Sequence, residues 1–149
     1  MAHFTILPID MLKNYEVLEH TADIGIRVKS LTLGSLFKKA CLAITDITSE
    51  KQKIQYPEKH KIVITQKAGN VEELFVNWLN ELLSVSSAEA LIFEDVKINQ
   101  INEQFIDAIA IGTDIKNYKV NVEIKAATYH QLKVEKNGPL WQAEVIFDV

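Results

Sequence analysis

The sequence predicts an α+β fold in a single domain, with a mixed sheet packed against two amphipathic helices. Its patterns run strand, helix, strand, helix, and then a meander of about four strands. The second half lacks the alternating helices that a doubly wound parallel sheet would require. A length of 149 residues suits one domain, and no linker or low-complexity segment divides it.

The first half begins with strand patterns and then changes to a helical period. Residues 15–19 and 24–31 are predicted as strand, and the polar stretch between them is expected to break or bulge it. A helix is predicted over about residues 33–46, with Thr32 as its N-cap. Cys41 falls on the apolar stripe of this helix, which predicts a small buried hydrophobe.

The second helix has the clearest pattern in the chain. It follows a strand predicted over residues 61–66, with Asn70 as its N-cap and Glu73 able to complete a capping box. Its apolar stripe, which includes Trp78, is expected to lie in the core. The stripe consists of Val71, Leu74, Phe75, Trp78, Leu79, Leu82 and Leu83.

Four further strand-like segments follow the second helix. They cover residues 90–101, 105–114, 118–134 and 141–148, and Asn137-Gly138-Pro139 is a hairpin turn signal before the last. In the last segment apolar residues alternate with mostly polar ones, which predicts that Asp148 lies on the same face as Glu144.

The charge balance disfavours direct binding of nucleic acid. The formal net charge is −4, and Arg27 is the only arginine, so the clustered cations of an RNA-binding surface are absent. A role in RNA chemistry would therefore act through a partner protein.

The number of cysteines and the hydropathy of the chain indicate the cellular compartment. One cysteine excludes an internal disulfide and a multi-cysteine zinc site, and it fits a reducing environment. The N-terminal residues lack the pattern of a signal peptide, and no run of about 18 apolar residues is present. The expectation is a cytoplasmic protein that does not bind membranes.

An acid stands at the end of the last predicted strand. The carboxylate of Asp148 and the terminal carboxylate of Val149 lie on adjacent residues, and paired hard oxygens suit Ca²⁺ or Mg²⁺. Such a pair needs a further ligand, and Asp23 is the leading candidate if the first and last strands are neighbours. The alternative is a frayed, solvated end.

Asp23 belongs to a polar stretch, Glu19-His20-Thr21-Ala22-Asp23, inside a strand-like region. His20 and Asp23 are three residues apart, a spacing that puts them on different faces of a regular strand. A bulge would re-aim them towards a functional site, whereas the simpler alternative is a polar turn.

The segment Lys125-Ala126-Ala127-Thr128-Tyr129-His130 places a lysine, a phenol and an imidazole close together. Contact with a phosphate is one interpretation, and half-burial of Tyr129 and His130 is the other. No nucleophile elbow, phosphate-binding loop, zinc spacing or dinucleotide fingerprint occurs, which disfavours an independent enzyme.

Taken in order, five segments resemble the archease family over residues 15–149. The departures from the family pattern are a longer extension at residues 1–14 and Ser30, where many members have glycine. The five segments are 19–26 (EHTADIGI), 33–37 (LGSLF), 78–83 (WLNELL), 125–130 (KAATYH) and 145–149 (VIFDV).

This resemblance implies a non-catalytic activator of an RtcB-type RNA ligase. Archeases promote guanylylation and multiple turnover of that ligase in tRNA splicing or RNA repair, so RNA and guanine nucleotide would be reached only through the ligase. The family's metal ligands correspond to Asp23, Asp148 and Val149. The ion expected there is Ca²⁺, with Mg²⁺ or Mn²⁺ as alternatives.

Four more residues are candidates for supporting the acids or contacting the ligase: Glu19, His20, Lys125 and His130. Two other functions remain open at this point. One is a general chaperone-like modulator of RNA-processing enzymes, and the other is a metal-dependent phosphoesterase that uses Asp23 and Asp148.

Overall fold

The computed structural model of the protein describes residues 3–4, 15–20 and 23–149. Within them the helices are α1 (Leu33–Thr48) and α2 (Val71–Glu89). The strands are β1 (His3–Phe4), β2 (Tyr15–His20), β3 (Asp23–Ser30), β4 (Ser49–Lys51), β5 (His60–Lys67), β6 (Leu91–Ile101), β7 (Phe105–Asp114), β8 (Tyr118–Val120), β9 (Ala126–Ala127), β10 (Lys133–Asn137) and β11 (Leu140–Asp148). The predicted α+β class, with two helices in one domain, is confirmed. Apart from β1, the predicted extension at residues 1–14 lies outside the described residues.

The described strands pair only in antiparallel fashion and form three sheets. The largest has the order β1-β2-β3-β11-β10, with β9 beside β11. A second sheet has the order β5-β7-β6, and a third pairs β4 with β8. The prediction was one mixed sheet. The arrangement differs because β7 lies between the two strands that α2 connects, and because α1 leads from the largest sheet into β4.

The long strand predicted over residues 118–134 is the largest local difference. Only β8, β9 and the start of β10 are strand within it. The segment after β8 is held instead by the end of α1, since the main-chain N–H groups of Asn121 and Val122 donate to the carbonyl oxygen of Thr48 at 2.8 and 3.2 Å. Pairing with a neighbouring strand is thereby replaced by bonds to a helix terminus.

Both predicted helix starts are confirmed by their caps. The hydroxyl of Thr32 accepts a bond from the Ser35 N–H at 3.1 Å, and the Asn70 side chain accepts one from the Glu73 N–H at 2.8 Å. At its other end α2 stops at Ala90, whose φ of 53° is left-handed, so β6 begins at Leu91 rather than at residue 90.

The core lies where the two helices meet the sheets. Phe37, Phe75 and Trp78 are fully buried, and the two phenylalanine rings meet edge to face with centroids 5.1 Å apart. The indole N–H of Trp78 donates to the carbonyl of Phe37 at 3.0 Å, which satisfies its only polar group. Cys41 is buried as predicted, and burial raises the pKa of its thiol to about 12.

Helix α1 packs against both β3 and β6, so it joins the largest sheet to the three-stranded sheet. Helix α2 packs against β5 and also against β9. In the described part of the chain, neither helix combines the length and the apolar character needed to cross a membrane.

Candidate metal centre

The strand that begins at Asp23 and the strand that ends at Asp148 are neighbours. β3 and β11 run antiparallel, from Trp141 opposite Ser30 to Phe147 opposite Ile24. Continuing that register by one residue sets Asp148 opposite Asp23. Residues directly opposite each other on antiparallel strands have Cβ atoms about 4.5–5.5 Å apart and point to the same face.

The main chain at the end of β11 is bonded on both edges. One edge pairs with β3, and the other pairs with β9, where Asp148 lies opposite Ala126. The Lys125 N–H donates to the carbonyl oxygen of Asp148 at 2.8 Å. The frayed end that was the alternative for Asp148 is therefore not found.

Alternation along β11 gives Asp148 the predicted orientation. Phe147 is fully buried, Asp148 is exposed, and Glu144 lies on the same face as Asp148 by the period of two. Val149 is half-buried, and its side chain packs against the core. The backbone of this end is thus fixed, while the Asp148 carboxylate faces solvent.

The polar stretch before Ile24 separates two strands rather than bulging one. β2 and β3 pair antiparallel up to His20 opposite Asp23, so the chain reverses there. Glu19 is set opposite Ile24 in the same register. Thr21 and Ala22, and the side chains of Glu19 and His20, lie outside the described residues.

The other two candidates, Lys125 and His130, flank β9 and are exposed. Lys125 reaches the end of β11 through its main-chain bond. His130 is connected through Thr128, which accepts the His130 N–H at 3.3 Å and donates from its own hydroxyl to the Ile146 carbonyl at 2.8 Å. The predicted site residues therefore gather, by register and main-chain bonds, at one end of the largest sheet.

The chain's only arginine lies further along the same face of this sheet. The Arg27 guanidinium pairs with Glu144 at 2.7 Å and with Glu16 at 2.8 Å, which links β11, β3 and β2. Burial by itself would lower the pKa of Arg27, but its bonds to the two glutamates raise that pKa by more than burial lowers it. The net shift is therefore upward. Arg27 is thus engaged by two carboxylates of its own face.

The oxygen donors at this end of the sheet are of the type that a hard divalent cation prefers, but the described side chains are too few to hold one. Asp23 and Asp148 supply carboxylate oxygens, which Ca²⁺ and Mg²⁺ prefer. Across the described residues, no three side chains of His, Cys, Asp or Glu come close enough together to hold a metal ion. An ion here would need further oxygens from the Val149 main chain, from water or from a partner.

Sequence reasoning missed Asn80, which positions β9. Its side-chain oxygen accepts the Ala127 N–H at 2.7 Å, and its amide nitrogen donates to the Ala127 carbonyl at 3.2 Å. Asn80 follows Leu79 in the sequence but lies outside the apolar stripe of α2, so its polarity gave no signal.

Sequence reasoning also missed a cluster of charges around Glu94. The register of β6 against β7 shifts between Phe93 and Asp95, and Glu94 is the extra residue of this bulge. Its side chain is only 13% exposed and meets Lys59 at 2.5 Å and Lys51 at 2.9 Å. The signal was the charged pair Glu94-Asp95, because two successive charged residues interrupt the alternation of apolar and polar residues that follows in this strand.

Glu94 also accepts a bond from the Tyr118 hydroxyl. Burial raises the pKa of Glu94, but the bonds from Lys59, Tyr118 and Lys51 outweigh it and lower that pKa to about 2. Burial raises the pKa of Tyr118, and the bond to Glu94 raises it further by a smaller amount. The cluster therefore ties β4, β6 and β8 together around an ionised glutamate.

The fold and the site together define a class: small α+β proteins in which paired ends of antiparallel strands bring two aspartates together. The family model described as "Archease protein family (MTH1598/TM1083)" matches residues 15–149. The chain belongs to the archease family.

Relatives and solved structures agree with this assignment. The chain is 34% identical to the archease of Methanosarcina barkeri over 92% of its length and 97% of the relative, and 34% identical to that of Pyrococcus furiosus over 93% and 100%. The solution structure of Methanobacterium thermoautotrophicum protein 1598 matches with a TM-score of 0.70 and 26% identity, covering 91% of this chain and 99% of that one.

A crystal structure from Thermotoga maritima, described as an archease and possible chaperone, matches with a TM-score of 0.62. It covers 99% of both chains at 21% identity, so it supports the fold alone.

Proposed function

We propose that this protein is a non-catalytic, metal-dependent activator of an RtcB-type RNA ligase. The observation that carries the proposal is the register of β3 and β11, which sets the exposed Asp148 opposite Asp23. Membership of the archease family supports the proposal, because the resemblance to that family implies an RtcB-type RNA ligase as the partner. In this proposal the ligase joins the RNA ends, and the archease promotes ligase guanylylation and repeated turnover.

The two aspartates and a main-chain oxygen of Val149 would hold the ion. Ca²⁺ is the first expectation, with Mg²⁺ or Mn²⁺ as alternatives. When bound, a divalent ion would offset negative charge on phosphates beside it. Asp23 and Asp148 would orient that charge outwards, because the strands that carry them are paired and Asp148 faces solvent.

An incomplete set of protein donors favours a shared site over a closed structural one. Two aspartates leave coordination positions open, and an oxygen of a nucleotide held by the partner could fill them. Lys125 is exposed beside the end of β11, so it could contact the same partner. RNA and guanine nucleotide would be reached only through the ligase.

The test is a ligation assay with the cognate ligase, GTP and RNA ends, with and without this protein. Wild type is expected to convert single turnover into multiple turnover, and Asp148→Asn and Asp23→Asn are expected to abolish that gain. Glu135→Gln is a matched control, because Glu135 is an exposed acid on β10 of the same sheet, towards its other end.

The other outcomes separate the alternatives. Full stimulation by both aspartate variants would overturn the metal-dependent proposal and favour a general chaperone-like modulator. Turnover of a phosphoester by the isolated protein, lost in Asp148→Asn, would instead indicate a metal-dependent phosphoesterase.

A further inference from the structure

Asn80 binds one residue of β9 through both ends of its side-chain amide. It accepts from the Ala127 N–H at 2.7 Å and donates to the Ala127 carbonyl at 3.2 Å, across 47 positions of sequence. These are the two main-chain groups that a neighbouring strand would otherwise satisfy. Asn80 thus takes the place of a strand on the edge of β9 that faces α2.

β9 has little reason to form by itself. It consists of two alanines, a residue type depleted in strands, and two-residue strands make few ladder bonds. The small alanine side chains do allow α2 to pack closely against β9. The short side chain of Asn80 can therefore reach the main chain of Ala127.

The opposite edge of this segment holds the end of β11. The Lys125 N–H donates to the Asp148 carbonyl at 2.8 Å, and the Thr128 N–H donates to the Ile146 carbonyl at 3.0 Å. β9 therefore lies between Asn80 and the strand that carries Asp148. The helix behind Asn80 is anchored in the core, because Trp78 and Leu79 are fully buried.

We infer that Asn80 is a positioning residue, which fixes β9 and through it the main chain of Asp148. The claim that Asn80 fixes the main chain of β9 and of Asp148 rests on the hydrogen bonds alone. Its consequence for metal binding rests on the proposed function. Loss of the Asn80 amide should loosen the end of β11 on the β9 edge while leaving its pairing with β3.

The test compares Asn80→Leu with a matched control, Asn77→Leu. Asn77 lies one turn earlier on α2, and its amide contacts the Lys67 carbonyl, at 3.5 Å, rather than β9. Both variants lose an amide from the same helix. Only Asn80→Leu loses the connection to Ala127.

The first measurement is amide hydrogen exchange, by NMR, at Lys125 and Thr128. Asn80→Leu should accelerate both by about tenfold or more, the effect expected when one or two hydrogen bonds no longer oppose local opening. Asn77→Leu should leave both within about twofold of wild type. Unchanged exchange at Lys125 in Asn80→Leu would overturn the inference.

The second measurement is titration of each protein with Mn²⁺, well below its melting temperature. Asn80→Leu should weaken Mn²⁺ binding by about tenfold, as losses of supporting bonds around a metal site do, whereas Asn77→Leu should not. Equal affinities in all three proteins would overturn the metal-positioning role. No binding by wild type would instead contradict the proposed function, and the exchange rates would still test whether Asn80 positions β9.

Should Asn80→Leu fail to fold, Asn80→Asp provides the test. A carboxylate at position 80 keeps an acceptor for the Ala127 N–H but no longer donates to the Ala127 carbonyl. Exchange at Lys125 should then be faster than in wild type, because a carboxylate oxygen would face the Ala127 carbonyl oxygen in place of the donating amide. Exchange equal to wild type would count against the positioning role of Asn80.

Discussion

Glu94 and Asp148 are both acids at irregular points of strands, but their surroundings differ. Glu94 sits in the bulge of β6, is 13% exposed, and is bonded by two lysines and a tyrosine. Asp148 ends β11, is exposed, and has no side-chain hydrogen bond or ion pair within the described residues. At Glu94 the chain supplies its own cations, whereas the described residues supply none to the Asp148 carboxylate.

The difference separates structural acids from candidate ligands. Closely bonded lysines lower the pKa of Glu94 to about 2 and use up its oxygens within the fold. Next to Asp148 the same sheet supplies a second aspartate, and two like charges on neighbouring strands destabilise each other. Under the proposed function, only the second arrangement would bind a divalent ion.

The largest expected effect is loss of ion-dependent stabilisation in Asp148→Asn. Thermal unfolding with and without Ca²⁺ should show a higher melting temperature for wild type with the ion, because a ligand that binds only the native state stabilises it. Asp148→Asn should show no such shift. Its ion-free stability should equal wild type or exceed it by about 0.5 kcal/mol, since one of two repelling charges is removed.

Glu94→Gln provides the opposite pattern. It should keep the Ca²⁺-dependent shift and lose stability without the ion. A Ca²⁺-dependent shift that survives in Asp148→Asn, or vanishes in Glu94→Gln, would break the distinction between the two regions.

The second prediction is the size of the Glu94 effect. Glu94→Gln should reduce the free energy of unfolding by about 2 kcal/mol, because it removes the charge from bonds with Lys51, Lys59 and Tyr118. The lysines are about half exposed, so water can solvate them afterwards, which limits the loss. Urea denaturation measures it, and Glu135→Gln should change stability by under 0.5 kcal/mol.

The third prediction concerns acid. The pKa of Glu94 is lowered from 4.5 to about 2 in the folded protein, so the unfolded state binds its proton more readily. The resulting stability, up to about 3 kcal/mol, is present above pH 4.5 and is lost as the pH falls towards 2. Urea denaturation at steps between pH 5 and pH 2 should show this loss in wild type, with a shallower slope in Glu94→Gln. Equal slopes would contradict the assignment.

Sequence patterns predicted helices and strands correctly where apolar residues are concentrated on one face of the element. The apolar stripe of α2 and its cap at Asn70 were readable because each side chain contributes locally. The face of Asp148 followed from the alternation in β11. That β3 lies beside β11 was a conditional prediction, because pairing between distant strands leaves no local signal.

What could not be predicted depends on long-range contacts. The bonds between Ala127 and Asn80 are one example, because they join β9 to a helix residue 47 positions away in the sequence. Likewise, the bulge that turns Glu94 towards Lys51 and Lys59 is a shift in the register between β6 and β7, which depends on both strands. Neither pattern can be recognised from the period of one segment.

The smallest effect is expected for a substitution at Gly25, which follows Asp23 by two residues and therefore lies on the same face of β3. A Cβ built on Gly25 would lie 3.1 Å from the Cβ of Leu18. Leu18 is opposite Gly25 in the β2–β3 pair, and a Cβ atom cannot move by side-chain rotation. Gly25→Ala should therefore force the two strands apart slightly and cost about 1 kcal/mol, despite the better strand propensity of alanine.

This variant also sharpens the comparison between the two regions. Asp23 and Asp148 lie next to the strained pair, so Ca²⁺ affinity should fall a few-fold in Gly25→Ala. The acid-dependent loss of stability, which comes from Glu94 on the three-stranded sheet, should keep its wild-type slope between pH 4.5 and 2. Calorimetric titration with Ca²⁺ and urea denaturation against pH measure the two quantities. A changed acid slope with unchanged Ca²⁺ affinity would show that strain at Gly25 spreads away from the candidate metal centre rather than into it.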